Sequence, residues 1–197
     1  FFQNQVYPYL AITQSRDYFF DGESDVALSR KNNDNWLALG LTLNDFRGTH
    51  WSADVSSGYQ FNFSYETTEV IGNNIDEGSV LNLDAKFYYP LNGSHTLAQR
   101  LFVGVGFDST SLFQLGGTIS DPYIGPGIQV KKRRYPLRGY SSASEALRGE
   151  NVLLHSFEYR LPVDWVDYSY MAPPVGVGGW SLRGFVDSGS AWGDSES

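Results

Sequence analysis

The side chains of this sequence best suited to chemistry are one arginine and two acids: Arg138, within Leu137-Arg138-Gly139-Tyr140, and Glu158 and Asp187. Glu158 shares one face of an alternating segment with Ser156 and Arg160, and Asp187 lies on the face opposite Leu182 and Val186 in another. A guanidinium donates through a planar fork that matches carboxylates bidentately, which the point charge of lysine does not. The chemistry these residue types allow is non-covalent: an arginine on a loop could reach between the two acids and pin that loop to the wall that bears them, although on the residues alone Arg138 reads first as a solvated loop cation and the acids as polar-face residues. Gly139 gives the tip backbone freedom, and Tyr140 offers an aromatic body expected to pack under the loop. A buried pair of this kind need not add net stability, so the role predicted for it is positional.

Catalytic chemistry finds little support. The chain has no cysteine, which removes disulfides, thiol catalysis and cysteine-based zinc sites. It has no G-x-S-x-G elbow and no H-E-x-x-H pair. His50 and His95 fall in turns and His155 on the apolar side of a strand, without the spacing of a metal-ligand set. No enzyme activity, cofactor or metal is expected. Fourteen Lys and Arg against 22 Asp and Glu leave a formal charge of -8, which disfavours nucleic acid as a partner.

The elements that must position these residues are strands. Helical periodicity is almost absent, and period-two alternation recurs. In 36–46, Leu37, Leu39, Leu41 and Leu43 share a face opposite Ala38, Gly40, Thr42 and Asn44. In 51–63, Trp51, Ala53, Val55, Tyr59, Phe61 and Phe63 oppose Ser52, Asp54, Ser56, Gly58, Gln60 and Asn62. The pattern continues in 80–90, 100–108, 152–162 and 181–192, and more faintly in 6–16, predicting about seven strands in one domain. A charged fraction of 18%, with 21 glycines and 16% aromatics, suits a β-protein with few charges on its surface.

Alternation fits a soluble sandwich and a membrane barrel equally, because each strand has one apolar and one polar face in both. Length separates them. Thirteen residues at ~3.3 Å, tilted about 45°, span roughly 30 Å, the depth of a bilayer's hydrocarbon layer. The apolar faces also lack charge, as lipid contact demands. Connections at 47–50 and 91–96 are short, while those at 17–34, 66–79 and 109–150 are long, the alternation of an up-and-down barrel; 163–179 falls on the short side yet is long. The expected fold is an all-β, antiparallel transmembrane β-barrel, incomplete here. Seven strands cannot enclose a lumen wide enough for an infolded loop, so missing strands or partner subunits are expected to complete it.

Four short patterns follow in order: Phe113-x-Leu115-Gly116-Gly117, Leu137-Arg138-Gly139-Tyr140, the Glu158-x-Arg160-x-Pro162 stretch, and Phe185-x-Asp187-x-Gly189. Their order and spacing resemble the C-terminal barrel region of the BamA and TamA superfamily, the bacterial surface antigen family. The resemblance implies that Phe113, Leu115, Gly116 and Gly117 open a long sixth extracellular loop. It implies that the Arg138 tip folds back into the barrel, and that Glu158 and Asp187 lie on the lumen wall, with Phe185 and Gly189 on the second of the two strands. It also implies a sixteen-stranded barrel, of which this chain supplies roughly the seventh through thirteenth strands, in the outer membrane of a bacterial cell.

The implied function is insertion of outer-membrane proteins or translocation of a passenger polypeptide, with lipid, lipopolysaccharide and a client or passenger chain as partners. A passive barrel, serving as a channel or as an anchor for another domain, is one alternative; a soluble β-sandwich binding module is another. The chain departs from the family in a longer insertion between Gly117 and Leu137, which carries Lys131-Lys132-Arg133-Arg134. That run could meet lipopolysaccharide phosphates, but a charge run in a loop is read first as solvated.

Overall fold

The computed structural model describes residues 5–18, 31–47, 55–70, 78–91, 95–107, 112–117, 132–141, 144–162, 168–171, 174–177 and 181–193. Twelve strands are found among them: β1 (Gln5–Tyr18), β2 (Lys31–Arg47), β3 (Ser57–Thr67), β4 (Ser79–Pro90), β5 (Thr96–Phe107), β6 (Phe113–Leu115), β7 (Arg134–Tyr135), β8 (Arg148–Gly149), β9 (Asn151–Pro162), β10 (Tyr168–Met171), β11 (Pro174–Val177) and β12 (Ser181–Trp192). No α-helix occurs among the described residues; a single 3-10 turn covers Glu145–Leu147.

Seven strands form one sheet in the order β1-β2-β3-β4-β5-β9-β12, and every neighbouring pair is antiparallel. Consecutive strands are neighbours except where β6, β7 and β8 intervene between β5 and β9, and β10 and β11 between β9 and β12. The sheet is not closed: β1 and β12 stand at its two ends.

The seven main strands fall on the segments that alternate in the sequence, with two extensions, β2 beginning at Lys31 and β5 at Thr96, and one displacement. Alternation predicts a strand over 51–63, whereas β3 runs Ser57–Thr67; residues 51–54 lie outside the described residues. Odd-numbered apolar residues stay in phase across both ranges, so periodicity identifies the face but cannot locate the ends. Pairing decides them. Arg47 pairs with Ser57, and the Ser56 N–H donates to the Arg47 carbonyl at 3.1 Å. The long 163–179 connection also carries its own hairpin, β10 with β11.

Burial inverts the usual order of a globular sheet. The leucine face of β2 is open, with Leu39 52% exposed. Phe63, Leu101, Leu153 and Phe157, on the corresponding faces of β3, β5 and β9, are exposed as well. The opposite face buries Thr42, Asn62, Ser64, Glu66, Asn82 and Asp84. These polar groups are satisfied laterally: Thr42 donates to Asn62 Oδ1 at 3.0 Å, Asn82 Nδ2 to Ser64 Oγ at 3.1 Å, and Arg100 Nε and Nη2 to the two Asp84 oxygens, each at 2.9 Å. Such pairing offsets the desolvation that would otherwise make a buried polar face costly.

The core lies on this same polar face. Trp36, Val80, Phe102, Val152 and Leu154 interrupt its polar residues and pack with Phe113, Leu115, Tyr135 and Leu137 from the segment between β5 and β9. That segment folds into its own three-stranded sheet, with β6 parallel to β7 and antiparallel to β8. It satisfies its backbone internally, as a segment laid against protein must. The Gln114 N–H donates to Arg133 O at 2.8 Å and the Gly117 N–H to Tyr140 O at 2.8 Å, while Gln114 Nε2 donates to Leu115 O at 2.9 Å and Ser144 O at 3.1 Å.

Candidate functional site: a loop pinned to the polar face

The antiparallel register of β9 and β12 sets Asp187 opposite Ser156 and Phe185 opposite Glu158, so the two acids stand on neighbouring rungs of one face. Arg138 reaches both. Its Nε donates to Asp187 Oδ2 at 2.6 Å and its Nη2 to Oδ1 at 2.7 Å, the bidentate fork that makes such pairs strong and directional. Nη1 donates to Glu158 Oε2 at 3.1 Å and Nη2 also to Ser156 Oγ at 3.0 Å. The Arg138 backbone N–H adds a bond to Asp187 Oδ2 at 3.3 Å, and the Ser156 hydroxyl donates to Asp187 Oδ1 at 2.5 Å. The guanidinium lies 3.6 Å over the Phe185 ring, so its face is used as well as its edge. Its hydrogen bond to Asp187, seconded by that to Glu158, outweighs burial and pushes the Arg138 pKa above its already high value. The charge is permanent.

Glu158 is shared: Arg160 Nε donates to its Oε1 at 2.6 Å, and Arg183 approaches at 3.9 Å. Arg160 and Arg183 are direct cross-strand partners, a like-charge juxtaposition that Glu158 offsets.

The tip residues divide. Gly139 has φ 88, in the left-handed region that favours glycine. A Cβ there would meet nothing within 4 Å, so conformation and not space is what requires glycine. Tyr140 departs from expectation. Its side chain is exposed and does not pack under the loop; its backbone does the work, as the acceptor for Gly117 and the donor to Leu137 O at 3.3 Å. At the other end of the loop, Phe113 and Leu115 are fully buried, and Gly116 and Gly117 turn the chain with φ 122 and φ 71. Gly189 leaves room for the loop: a Cβ there would stand 2.9 Å from Leu115 Cδ1.

Gly104 makes the same provision on β5, where a Cβ would lie 2.5 Å from Phe113 Cζ and 2.8 Å from Val152 Cγ1. Gly104→Val should cost about 2 kcal/mol of loop seating by overpacking, read as a lower thermal midpoint and faster proteolysis between β5 and β9. Valine at Gly184, where a Cβ would meet nothing within 4 Å, is the matched control.

The basic run is the main correction to the sequence reading. Lys131 lies outside the described residues and Arg134 is exposed, but Lys132 and Arg133 are buried. Arg133 Nη2 donates to Glu66 Oε2 at 2.9 Å, and its guanidinium sits 5.2 Å from the Trp36 ring and 5.3 Å from that of Phe113. Lys132 Nζ stands 5.0 Å from the Tyr135 ring. A run of cations reads as solvated only if no acid and no aromatic face awaits it, and a linear pattern cannot reveal that Glu66 and Trp36 do. Neither Glu66 nor Arg133 was marked as a site residue by its sequence context, which placed Glu66 in the 66–79 connection; only the observed extent of β3 to Thr67 puts it on the polar face.

Tyr135 completes the floor of the loop. It stacks on Phe102 at 3.7 Å and 21°. Burial, reinforced by the nearby Asp84 charge, pushes its phenol well above the ordinary value. Its hydroxyl has no hydrogen-bond partner among the described residues.

Of the histidines, His50 lies outside the described residues. His95 meets the Tyr159 hydroxyl through Nδ1, and His155, half-buried, lies 3.0 Å through Nε2 from Gln99 Nε2. Among the described residues no group of three or more His, Asp or Glu could hold a metal ion.

No protein-family model and no curated protein matches the chain. What the arrangement can do must be argued from its geometry. It can hold a loop against a polar wall through fixed charges.

Proposed function

We propose that this chain is part of a transmembrane β-barrel of the bacterial outer membrane, similar to the BamA and TamA superfamily. In this reading it takes part in inserting outer-membrane proteins or translocating a polypeptide, with the Arg138 loop setting the state of the interior. The observation that carries the membrane reading is the inverted burial. A sheet that exposes Leu39, Phe63, Leu101 and Phe157 while burying Glu66, Asn82 and Asp84 matches the apolar-out, polar-in faces of an outer-membrane barrel. A soluble sandwich would seal the leucine face instead. The polypeptide-handling reading rests on the resemblance of four motifs and on the pairing of Arg138 with Asp187 and Glu158. The open ends at β1 and β12 accord with further strands completing the wall.

The membrane reading is tested on the apolar face. Leu101→Lys and Leu39→Lys should each cost roughly 2 kcal/mol of assembly into lipid, since a lysine near the bilayer midplane is penalised on that scale. Heat-modifiable gel mobility and partition into detergent measure it. Variants that fold as well as the parent, together with a parent that is monomeric in buffer without detergent, would refute the membrane reading.

A further inference from the structure

Arg138 is not the only pin. We infer that Arg133 and Glu66 form a second one, and that residues 133–138 act as a diagonal brace tying β3 to β12, so that the loop seats or leaves as a unit. The inference deepens the reading above, in which placement of this loop sets the interior.

The register gives the geometry of the brace. From Asp187, pairing leads through Ser156, Arg100 and Lys86 to Gln60 on β3. Glu66 is six residues further along β3. The two acids are thus four strand spacings apart across the sheet and six residues apart along it. At ~4.8 Å per strand and ~3.3 Å per residue that is about 19 Å by about 20 Å on a flat sheet, or roughly 27 Å corner to corner. Extended backbone from Arg133 to Arg138 covers only about 17 Å, with two arginine side chains to supply the remainder. The two pins are thus joined by only five peptide units, and a short tie along a diagonal resists both sliding of strands and flattening of the sheet.

Its midpoint is also held. Tyr135 stacks on Phe102 of β5, the central strand of the crossing, with Arg100 5.6 Å from the ring and Arg100 itself fixed on Asp84. Each end has its own acid and its own aromatic contact: Glu66 with Trp36 and Phe113 for Arg133, Asp187 with Phe185 for Arg138. Glu66 is 0% exposed, and its other oxygen accepts from Asn82 Nδ2 at 3.0 Å, so the acid is held by the wall as well as by the arginine. Burial of both partners makes the loss of either one expensive, because the survivor keeps its buried charge and loses its ion-pair partner. With only five peptide units and the stacked Tyr135 between the pins, release of one should loosen the other.

Trypsin reads both ends directly, since it cleaves after Lys132, Arg133, Arg134 and Arg138. In the folded protein Glu66→Gln, which keeps the shape of the side chain, should raise cleavage at least about tenfold after Lys132 and Arg133, and also after Arg138, as expected when a local opening equilibrium shifts. The exchange Glu66→Arg with Arg133→Glu should restore protection at Arg138, and far-UV circular dichroism distinguishes local release from failure to fold. Cleavage that rises only around Lys132 while Arg138 stays protected would overturn the brace in favour of two independent pins. Unchanged cleavage in Glu66→Gln would overturn the second pin altogether. Protection is measured without reference to any membrane activity, so failure of the brace and failure of the functional reading are separately visible.

Discussion

Arg138→Ala will release the loop tip and abolish most of whatever activity depends on its placement. The substitution takes from Asp187, with a side chain only 5% exposed, its bidentate cation, and leaves Glu158, at 14%, to Arg160. Removing one partner of a buried ion pair costs ~3–5 kcal/mol, and the partial exposure of Arg138 places this case at the lower end, about 3 kcal/mol. That corresponds to roughly a hundredfold fall in the seated population. Arg138→Lys should recover only part of it, because an ammonium cannot span the two Asp187 oxygens and Glu158 together. Charge reversal at Arg138 should impair more than alanine, and pairing it with Asp187→Arg should restore part of the loss if contact is direct. The measurement is insertion or translocation by the protein in lipid, beside trypsin protection of the loop. Full activity in Arg138→Ala would reject the mechanism.

Tyr135→Ala is expected to have a comparable or larger effect, through packing instead of charge. The ring is fully buried between Phe102 and the loop. Deleting a buried aromatic side chain costs ~3–5 kcal/mol in lost burial and in the cavity left behind. Tyr135→Phe supplies the contrast: with its hydroxyl unpartnered among the described residues, its removal should be neutral or mildly stabilising. Thermal unfolding and trypsin protection read both variants. A Tyr135→Phe variant as damaged as Tyr135→Ala would show that the hydroxyl, not the ring, holds the loop.

These two results probe different contributions to one event. Arg138 fixes where the tip sits on β9 and β12, and Tyr135 supplies the apolar contact that makes seating favourable. Neither suffices alone: a guanidinium on an open polar wall would be solvated, and an aromatic ring without fixed charges beside it could slide along Phe102.

The sequence marks the seven main strands, their two faces, and the polar faces that carry Asp187 and Glu158, while the register of β9 and β12 sets the rungs on which the two acids meet a guanidinium. Side-chain direction in a strand has a period of two, and that period survives in Leu37, Leu39 and Leu41 or in Ser156, Glu158 and Arg160 whatever the surroundings. It also marked Gly139, where a positive φ is local to one residue. Tertiary structure decided the rest. Phe102, Trp36, Val152 and Leu154 are apolar residues on a polar face, and only the loop laid over them makes them a core. Arg133 is buried because Glu66 and two aromatic rings, distant in the chain, come to meet it. Tyr140 is exposed because its backbone, not its ring, closes the turn. Periodicity is a property of one strand, whereas the partner of a charge is set by which strands stand side by side and by how far a loop can reach across them.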